Sequence, residues 1–283
     1  MALTAVASMN IPLLEGGCDL AVAKGQEPAA NVRTAISAFG GLSKIIKPGN
    51  TVGLLTNTAG TGIGSFTHPE IITAVADMCV EAGAAKIHWM DWWYQFQVQY
   101  YKPIPLTDEP RFNFNVVDLK QQDLWQTIDV PRGKSLKKVR VCKALYEPDV
   151  MIFVPIAKHH ASTGYTGALK LAMGTSHRED NVELFHKTEQ LEQCIADLNT
   201  AIRRPDLIVM DAMEVITNRG PMGPGPMVKP QKVIVGKDAV AIDSYCLEFH
   251  GKAPADQEMI TASAVLGVGS MELNKLNIRE ISR

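Results

Sequence analysis

The chain has 283 residues, of which 46% are hydrophobic and 20% charged, enough apolar material for one large domain or two small ones. Its 28 basic and 30 acidic residues leave a formal net charge of −2, so no basic excess is available to neutralise a nucleic-acid backbone. No apolar run approaches the roughly 18–20 residues of a membrane span. Neither nucleic acid nor a membrane is therefore an expected partner.

The cysteine pattern limits the cofactors that we expect. No two of the five cysteines fall within four residues of each other, which argues against a zinc finger or a ferredoxin-type iron–sulfur cluster. Residues 1–16 are expected to be an N-terminal extension, and the apolar start carries no basic residue of the kind that precedes a signal-peptide core. We expect a cytoplasmic protein, with a bound metal left as an open alternative.

Strands and helices alternate in the first third of the chain. Apolar runs predict strands at residues 19–23, 51–56 and 86–90, and helices are predicted at residues 30–46 and 70–81. Pro69 and Glu70 are typical of a first helical turn. This spacing favours a parallel sheet with helices on its faces.

The remainder continues the alternation after an irregular stretch at residues 92–140, whose basic run at 134–140 is read as a solvated turn or an edge strand. Further strands are predicted at 150–154, 207–210 and 233–235 and at the end of the chain, and helices at 188–203, 239–249 and 257–266. We found no internal repeat and no linker. The predicted fold is therefore a single α/β domain over residues 1–283, with a mostly parallel sheet covered by helices on both faces.

Four predicted strands run into loops rich in Gly, Thr, His and Asp, at residues 57–68, 91–94, 158–174 and 211–226. Because ligands bind outside the carboxyl ends of parallel strands, we expect these four loops to converge on one edge of the sheet. Asn57, Asp91 and Asp211, which follow three of these strands, are therefore predicted to bind a ligand.

The loop that follows residue 154 holds the densest set of polar groups. Its glycines allow tight turns that leave backbone N–H groups free for an anion, and its side chains add positive charge, hydroxyls and imidazoles. The alternative is a solvated surface loop. The residues predicted to bind a ligand here are Lys158, His159, Thr163, Gly164, Thr166 and Gly167, and those predicted to be catalytic are His160 and Lys170.

Two further histidines are candidates outside that loop. His68 precedes a predicted helix, where the helix dipole favours a bound anion, although a partly exposed N-terminal histidine is an equal alternative. His186 follows Leu184 and Phe185 on a predicted short helix and is either a metal ligand or an ordinary residue of an amphipathic face.

Six aromatic residues cluster between Trp92 and Tyr101. Such a cluster suits the contact surface of a homo-oligomer or of another protein partner, or else it is core or a pocket wall.

Taken together, these motifs resemble the bacterial and archaeal DUF 362 family. The matching pieces are Thr67-His68-Pro69, Val154-Pro-Ile-Ala-Lys-His-His-x3-Gly-x2-Gly-x2-Lys170-x3-Gly174, Arg204-Pro-Asp-Leu-x3-Asp211, Gly220-Pro-x-Gly223 and Asp238-Ala-Val-Ala-x-Asp243. The resemblance implies one α/β domain over nearly the whole chain. The chain departs from the family pattern at Thr56-Asn57-Thr58, where Lys-Pro-Asn is usual, and at Lys170-Leu171, where Lys-Asn is usual. It also lacks the four-cysteine iron–sulfur insert of many members.

The shorter run His160-x3-Gly164-x2-Gly167-x2-Lys170 is similar to a loop of nickel-pincer lactate racemases. That likeness implies that Lys170 anchors the pincer nucleotide, that His186 ligates nickel, and that His160 and His68 exchange the substrate proton. Such racemases have a second domain that this chain does not show.

The sequence as a whole predicts a protein that binds a small anionic ligand, or a metal with one, at the carboxyl ends of its strands. His68 and His160 would be acid–base or metal groups and Lys170 the partner of the anion, so we expect the three to line one pocket. A binding or assembly subunit without catalysis and a nickel-pincer racemase or epimerase are the alternatives.

Overall fold

A computed structural model describes residues 17–90, 112–117, 119 and 121–282 of the chain. Its central feature is an eight-stranded sheet in the order β12-β1-β11-β8-β7-β2-β3-β4. These strands are β1 (Leu20–Lys24), β2 (Thr51–Thr56), β3 (Lys86–Met90), β4 (Phe114–Val117), β7 (Val150–Val154), β8 (Leu207–Ala212), β11 (Lys232–Gly236) and β12 (Ile278–Ser282).

Seven of the eight strands point the same way. Only β11 is antiparallel, to both β1 and β8, whereas the other neighbouring pairs are parallel. The four strands β8, β7, β2 and β3 are consecutive neighbours, as the sequence predicts. The predicted mostly parallel α/β sheet is therefore confirmed.

Helices cover the sheet on both faces. Seven short or medium α-helices fall within the described residues: α1 (Pro28–Phe39), α2 (Pro69–Glu81), α3 (Ala168–Leu171), α4 (Arg178–Asp180), α5 (Leu191–Asn199), α6 (Ala239–Cys246) and α7 (Glu258–Val265). A π-helical turn (Asn181–His186) continues directly from α4.

The residues of β7 show how the two layers arise. Val150, Ile152 and Val154 belong to the core beneath α1 and α2, whereas Met151 and Phe153 belong to the core beneath α3, α5, α6 and α7. Because successive side chains of a strand point to opposite faces, a strand that is apolar throughout can supply two cores at once.

Local chemistry fixes the helix ends and corrects two predicted boundaries. The first helix stops at Phe39 rather than at residue 46, because Gly40 and Gly41 adopt φ of +122° and +81°. The helix predicted at 188–203 is also shorter, since α5 spans only Leu191–Asn199. Asp238 is the N-cap of α6, and its carboxylate accepts the backbone N–H of Ala241 at 3.0 Å.

Two small sheets lie outside the main one. The pair β5 (Trp125–Asp129) and β6 (Lys138–Cys142) is an antiparallel hairpin, and β9 (Val215–Ile216) pairs with β10 (Met227–Val228). Three of the seven residues of the basic run at 134–140 thus lie in β6, in agreement with the predicted edge strand or turn. No helix in the described part of the chain is long and apolar enough to cross a membrane. The aromatic cluster Trp92–Tyr101 lies outside the described residues.

Candidate functional site

A cavity of about 270 Å³ opens beyond the carboxyl ends of β2 and β7. Its walls come from the residues after β2, from the glycine-rich loop and α3 after β7, from the π-helical turn, and from the Gly-Pro loop after β9. Three of the four predicted loops therefore converge, and the fourth, which begins with Asp91, lies outside the described residues. The polar residues that line the cavity are Thr56, Asn57, Thr58, Lys158, His160, Thr166, Lys170, Asn181 and His186.

Lys170 projects from α3, a helix of four residues whose start is held by the Asp243 carboxylate. That carboxylate is fully buried and accepts the backbone N–H groups of Ala168 at 2.7 Å and of Leu169 at 3.0 Å. A Cβ at Gly167 would overlap it, so glycine at this position is what lets the carboxylate reach the helix. Gly167 thus shapes the site without lining the cavity.

The Lys170 ammonium makes no hydrogen bond or ion pair with any residue that the structure describes. The Lys170 side chain is half-buried, and the loss of water around its ammonium lowers the pKa of Lys170 from 10.5 to about 8. A substantial fraction of the side chain is therefore an uncharged amine slightly above neutral pH.

Two imidazoles share the cavity with Lys170. The rings of His160 and His186 lie with centroids 6.1 Å apart and planes at 78°. His160 is 6% exposed, and its Nδ1 accepts the backbone N–H of Ser162 at 3.1 Å, which assigns the ring proton to Nε2. Burial, and then the nearby charge of Lys170, lower the pKa of His160 to about 3 and also lower the pKa of His186. Both rings are therefore uncharged at neutral pH.

Lys158 also lines the cavity, but its ammonium is directed at the protein itself. It donates to Asn57 Oδ1 at 3.3 Å, to Ala59 O at 2.5 Å, to Pro221 O at 3.0 Å and to the carbonyl of Ser65. With only 1% of its surface exposed, Lys158 fastens the loop after β2 to the Gly-Pro loop. The residue predicted as a ligand contact is thus chiefly a structural cross-link that also leaves a positive charge in the wall.

The other residues predicted in the glycine-rich loop divide into two groups. Thr166 lines the cavity, and its buried Oγ1 has no hydrogen-bond partner among the described residues. His159, Thr163 and Gly164 do not line it: His159 Nδ1 accepts the backbone N–H of Gly220 at 3.1 Å, and Thr163 Oγ1 donates to the carbonyl of Tyr165 at 2.7 Å. These three shape the loop instead.

His68 and Asp211 line a second cavity, of about 380 Å³, and not the first. The Nδ1 atom of His68 accepts the backbone N–H of Glu70 at 3.2 Å, and this capping bond turns the ring toward α2. Asp211 accepts the backbone N–H groups of His68 at 2.7 Å and Met213 at 2.9 Å, while burial raises the pKa of its carboxyl. The prediction that His68, His160 and Lys170 line one pocket is therefore wrong for His68.

The charge balance of the first cavity is one-sided. Lys158 and Lys170 contribute ammonium groups, and none of the described residues that line it is an Asp or Glu. Sequence reasoning missed Thr56, Thr58 and Asn181, which follow no distinctive pattern, and the anchoring role of Asp243. The available signal for Asp243 was its place in the run Asp238-Ala-Val-Ala-x-Asp243, one of the pieces that carry the family resemblance.

No group of three or more His, Cys, Asp or Glu side chains in the described ranges is placed to hold a metal ion. The five cysteines are all buried and unpaired, at positions 18, 79, 142, 194 and 246. His186 as a nickel ligand therefore stays a prediction, and the acid–base pair expected from the racemase likeness, His160 with His68, is not brought together.

The family model for a domain of unknown function, DUF362, matches residues 52–248. The chain belongs to the DUF362 family. The matched region contains every residue that lines the first cavity, from Leu55 to Met222, and also Asp243. The DUF362 part of the chain is thus the part that builds this site.

Among the relatives of this DUF362 chain is a thylakoid-associated protein of Synechocystis sp., 26% identical over 243 residues, which are 78% of this chain and 67% of that protein. A solved structure from Thermotoga maritima matches with a TM-score of 0.49 at 12% identity, over 86% of this chain and 60% of that one. The lactate racemase apoprotein of Thermoanaerobacterium thermosaccharolyticum matches with a TM-score of 0.45 at 13% identity, over 83% and 58%. The chain spans about 60% of the length of these two structures.

Proposed function

We propose that this DUF362 protein binds a small organic anion in the cavity between β2, α3 and the π-helical turn, and that His160 and His186 carry out acid–base chemistry on it. The observation that supports this most strongly is the Lys170 ammonium, which has no partner among the described residues and lies in a cavity wall with no described carboxylate. A charge that has lost part of its water and has no partner costs free energy, which a bound anion can offset.

The cavity has room for a small organic acid. Its volume of about 270 Å³ lies just below the range of about 300–1,000 Å³ that is usual for small-molecule sites. A carboxylic acid of a few carbon atoms fits this space.

The polar side chains around Lys170 suit an anion of this kind. The Thr166 hydroxyl needs a hydrogen-bond partner, and Thr58, Asn57 and Asn181 supply further polar groups at the same wall. The remaining walls are apolar, with Leu55, Leu171, Met173 and Met222. A ligand with one charged end and one short apolar or carbonyl end would match both parts.

The two imidazoles are in the state that proton abstraction requires. An uncharged imidazole accepts a proton from an acidic C–H or O–H group, and two rings 6.1 Å apart can act on one small molecule from different directions. Lys170 would hold the anionic end of the ligand. It would also lower the free-energy barrier to proton abstraction by stabilising the negative charge that develops next to it.

Isothermal titration calorimetry with oxalate tests the binding. We expect oxalate to bind the wild-type protein at pH 7 and to bind Lys170→Gln about 10- to 100-fold more weakly, because a charged hydrogen bond contributes about 1.5–3 kcal/mol. The matched control is Lys187→Gln, which removes a lysine that is 61% exposed just after the π-helical turn. Equal affinities for all three proteins, or no heat with the wild type, would contradict the proposal.

A further inference from the structure

Two lysines twelve residues apart line the same cavity in opposite states. The ammonium of Lys158 is surrounded by four oxygen atoms of the protein, whereas that of Lys170 meets none that the structure describes. If Lys170 served only to attract an anion, a lysine with protein partners, such as Lys158, would supply the same positive charge at a smaller cost in the free energy of folding. The difference points to a use for the amine itself.

An amine becomes a nucleophile only after it has lost its proton. Loss of water around the amine, with no anionic partner among the described residues, favours loss of the proton and lowers the pKa of Lys170 to about 8. A lysine desolvated in this way is the usual form in which a protein attacks a carbonyl carbon. Lys158, held by four oxygens, is not available for the same reaction.

The neighbouring imidazoles can assist such an attack in two different ways. His160 carries its ring proton on Nε2, since its Nδ1 accepts the N–H of Ser162, and can therefore donate a hydrogen bond to a carbonyl oxygen. His186 forms no hydrogen bond with another described residue and, being uncharged, can accept a proton and return it. One hydrogen-bond donor and one base thus line the same cavity as the lysine.

We propose that Lys170 forms an imine with the carbonyl carbon of a small 2-oxo acid, whose carboxylate lies in the positive wall of the cavity. This inference rests on the proposed anion-binding function and names the substrate class of that site.

The step balances without any further reagent. The Lys170 nitrogen forms a bond to the carbonyl carbon, and one proton moves from nitrogen to the former carbonyl oxygen to give a carbinolamine. The hydroxyl group then leaves as water with the second amine proton, and a neutral carbon–nitrogen double bond remains. Uptake of one proton from solvent at the imine nitrogen gives a cation beside the substrate carboxylate, which stabilises it.

Borohydride trapping tests the inference, with pyruvate as the probe. The protein is incubated with pyruvate and sodium cyanoborohydride at pH 7.5, and its intact mass and its peptides are measured. We expect one adduct with the mass of pyruvic acid less one oxygen atom, located on the peptide that contains Lys170. Lys170→Arg keeps the positive charge but lacks the primary amine, so it should lose the adduct, whereas Lys187→Arg should form it as the wild type does.

Oxalate separates the two proposals because it cannot form an imine. If excess oxalate suppresses the Lys170 adduct, the carboxylate and the carbonyl use the same cavity, as we infer. If oxalate binds but pyruvate leaves no adduct on Lys170, or labels surface lysines equally, the imine inference is overturned while anion binding stands. If oxalate does not bind, the proposed function itself fails.

Discussion

Lys170→Met is expected to be more stable than the wild-type protein at pH 7, by about 2 kcal/mol in the free energy of unfolding. The substitution replaces a desolvated ammonium without a described partner by an apolar side chain of similar length, and the apolar walls of the cavity can accommodate it. The figure allows for the partial contact of the ammonium with water.

The gain should depend on pH in a defined direction. The pKa of Lys170 is about 8 in the folded protein and 10.5 as the ordinary value, so the unfolded chain binds the proton more tightly. The cost of the folded-state charge is therefore fully present below pH 8 and fades as the pH rises to 10.5. Urea unfolding at pH 7 and at pH 10 should show a large difference between Lys170→Met and wild type at the lower pH and a small one at the higher.

The control for this comparison is Lys187→Met, which removes an exposed lysine and should change the free energy of unfolding by less than about 0.5 kcal/mol. A Lys170→Met protein that is less stable than wild type at pH 7 would mean that the ammonium has a stabilising partner. The Lys170 ammonium would then not be available to bind an anion, as we infer that it is.

Lys158→Met should have the opposite effect and lower the free energy of unfolding by about 3–5 kcal/mol. The same chemical change here leaves four oxygen atoms, on Asn57, Ala59, Ser65 and Pro221, without their donor in a buried place. The loop after β2 and the Gly-Pro loop would separate, so oxalate binding should weaken as well.

Thermal and urea unfolding of the two methionine variants measures this contrast directly. The two lysines lie in one cavity and undergo one substitution, so general effects of the mutation cancel. Similar stabilities for Lys158→Met and Lys170→Met would show that the division into a structural and a functional lysine is wrong.

Much of the fold could be predicted from the sequence because its strands are short apolar runs that are followed by polar residues. Such runs are found at residues 51–56, 86–90, 150–154 and 207–210. A parallel strand that helices cover on both faces has no side facing water, so most of its side chains are apolar. Helix ends were less predictable. Two adjacent glycines end α1 early, and the pattern of apolar residues continues beyond them.

The site could be predicted only in part, since topology decides which loops meet but not where each side chain points. The rule that ligand groups gather at the strand carboxyl ends correctly brought His160, Lys170 and Asn57 together. It failed for His68, because a hydrogen bond to its own helix directs the ring to another cavity. Nor could spacing alone distinguish Lys158 from Lys170, since the difference lies in carbonyl oxygens contributed by distant loops.

The central claim, an anion held beside two uncharged imidazoles, is tested most directly by nuclear magnetic resonance of the histidine rings during a pH titration with and without oxalate. A bound anion favours the protonated form of a nearby imidazole, so the lowered pKa values of His160 and His186 should rise when oxalate is present. Adding oxalate at a given pH should leave the ring signals of His68, which lines the other cavity, where they are without it. Unchanged titration of His160 and His186, or a response confined to His68, would contradict the account.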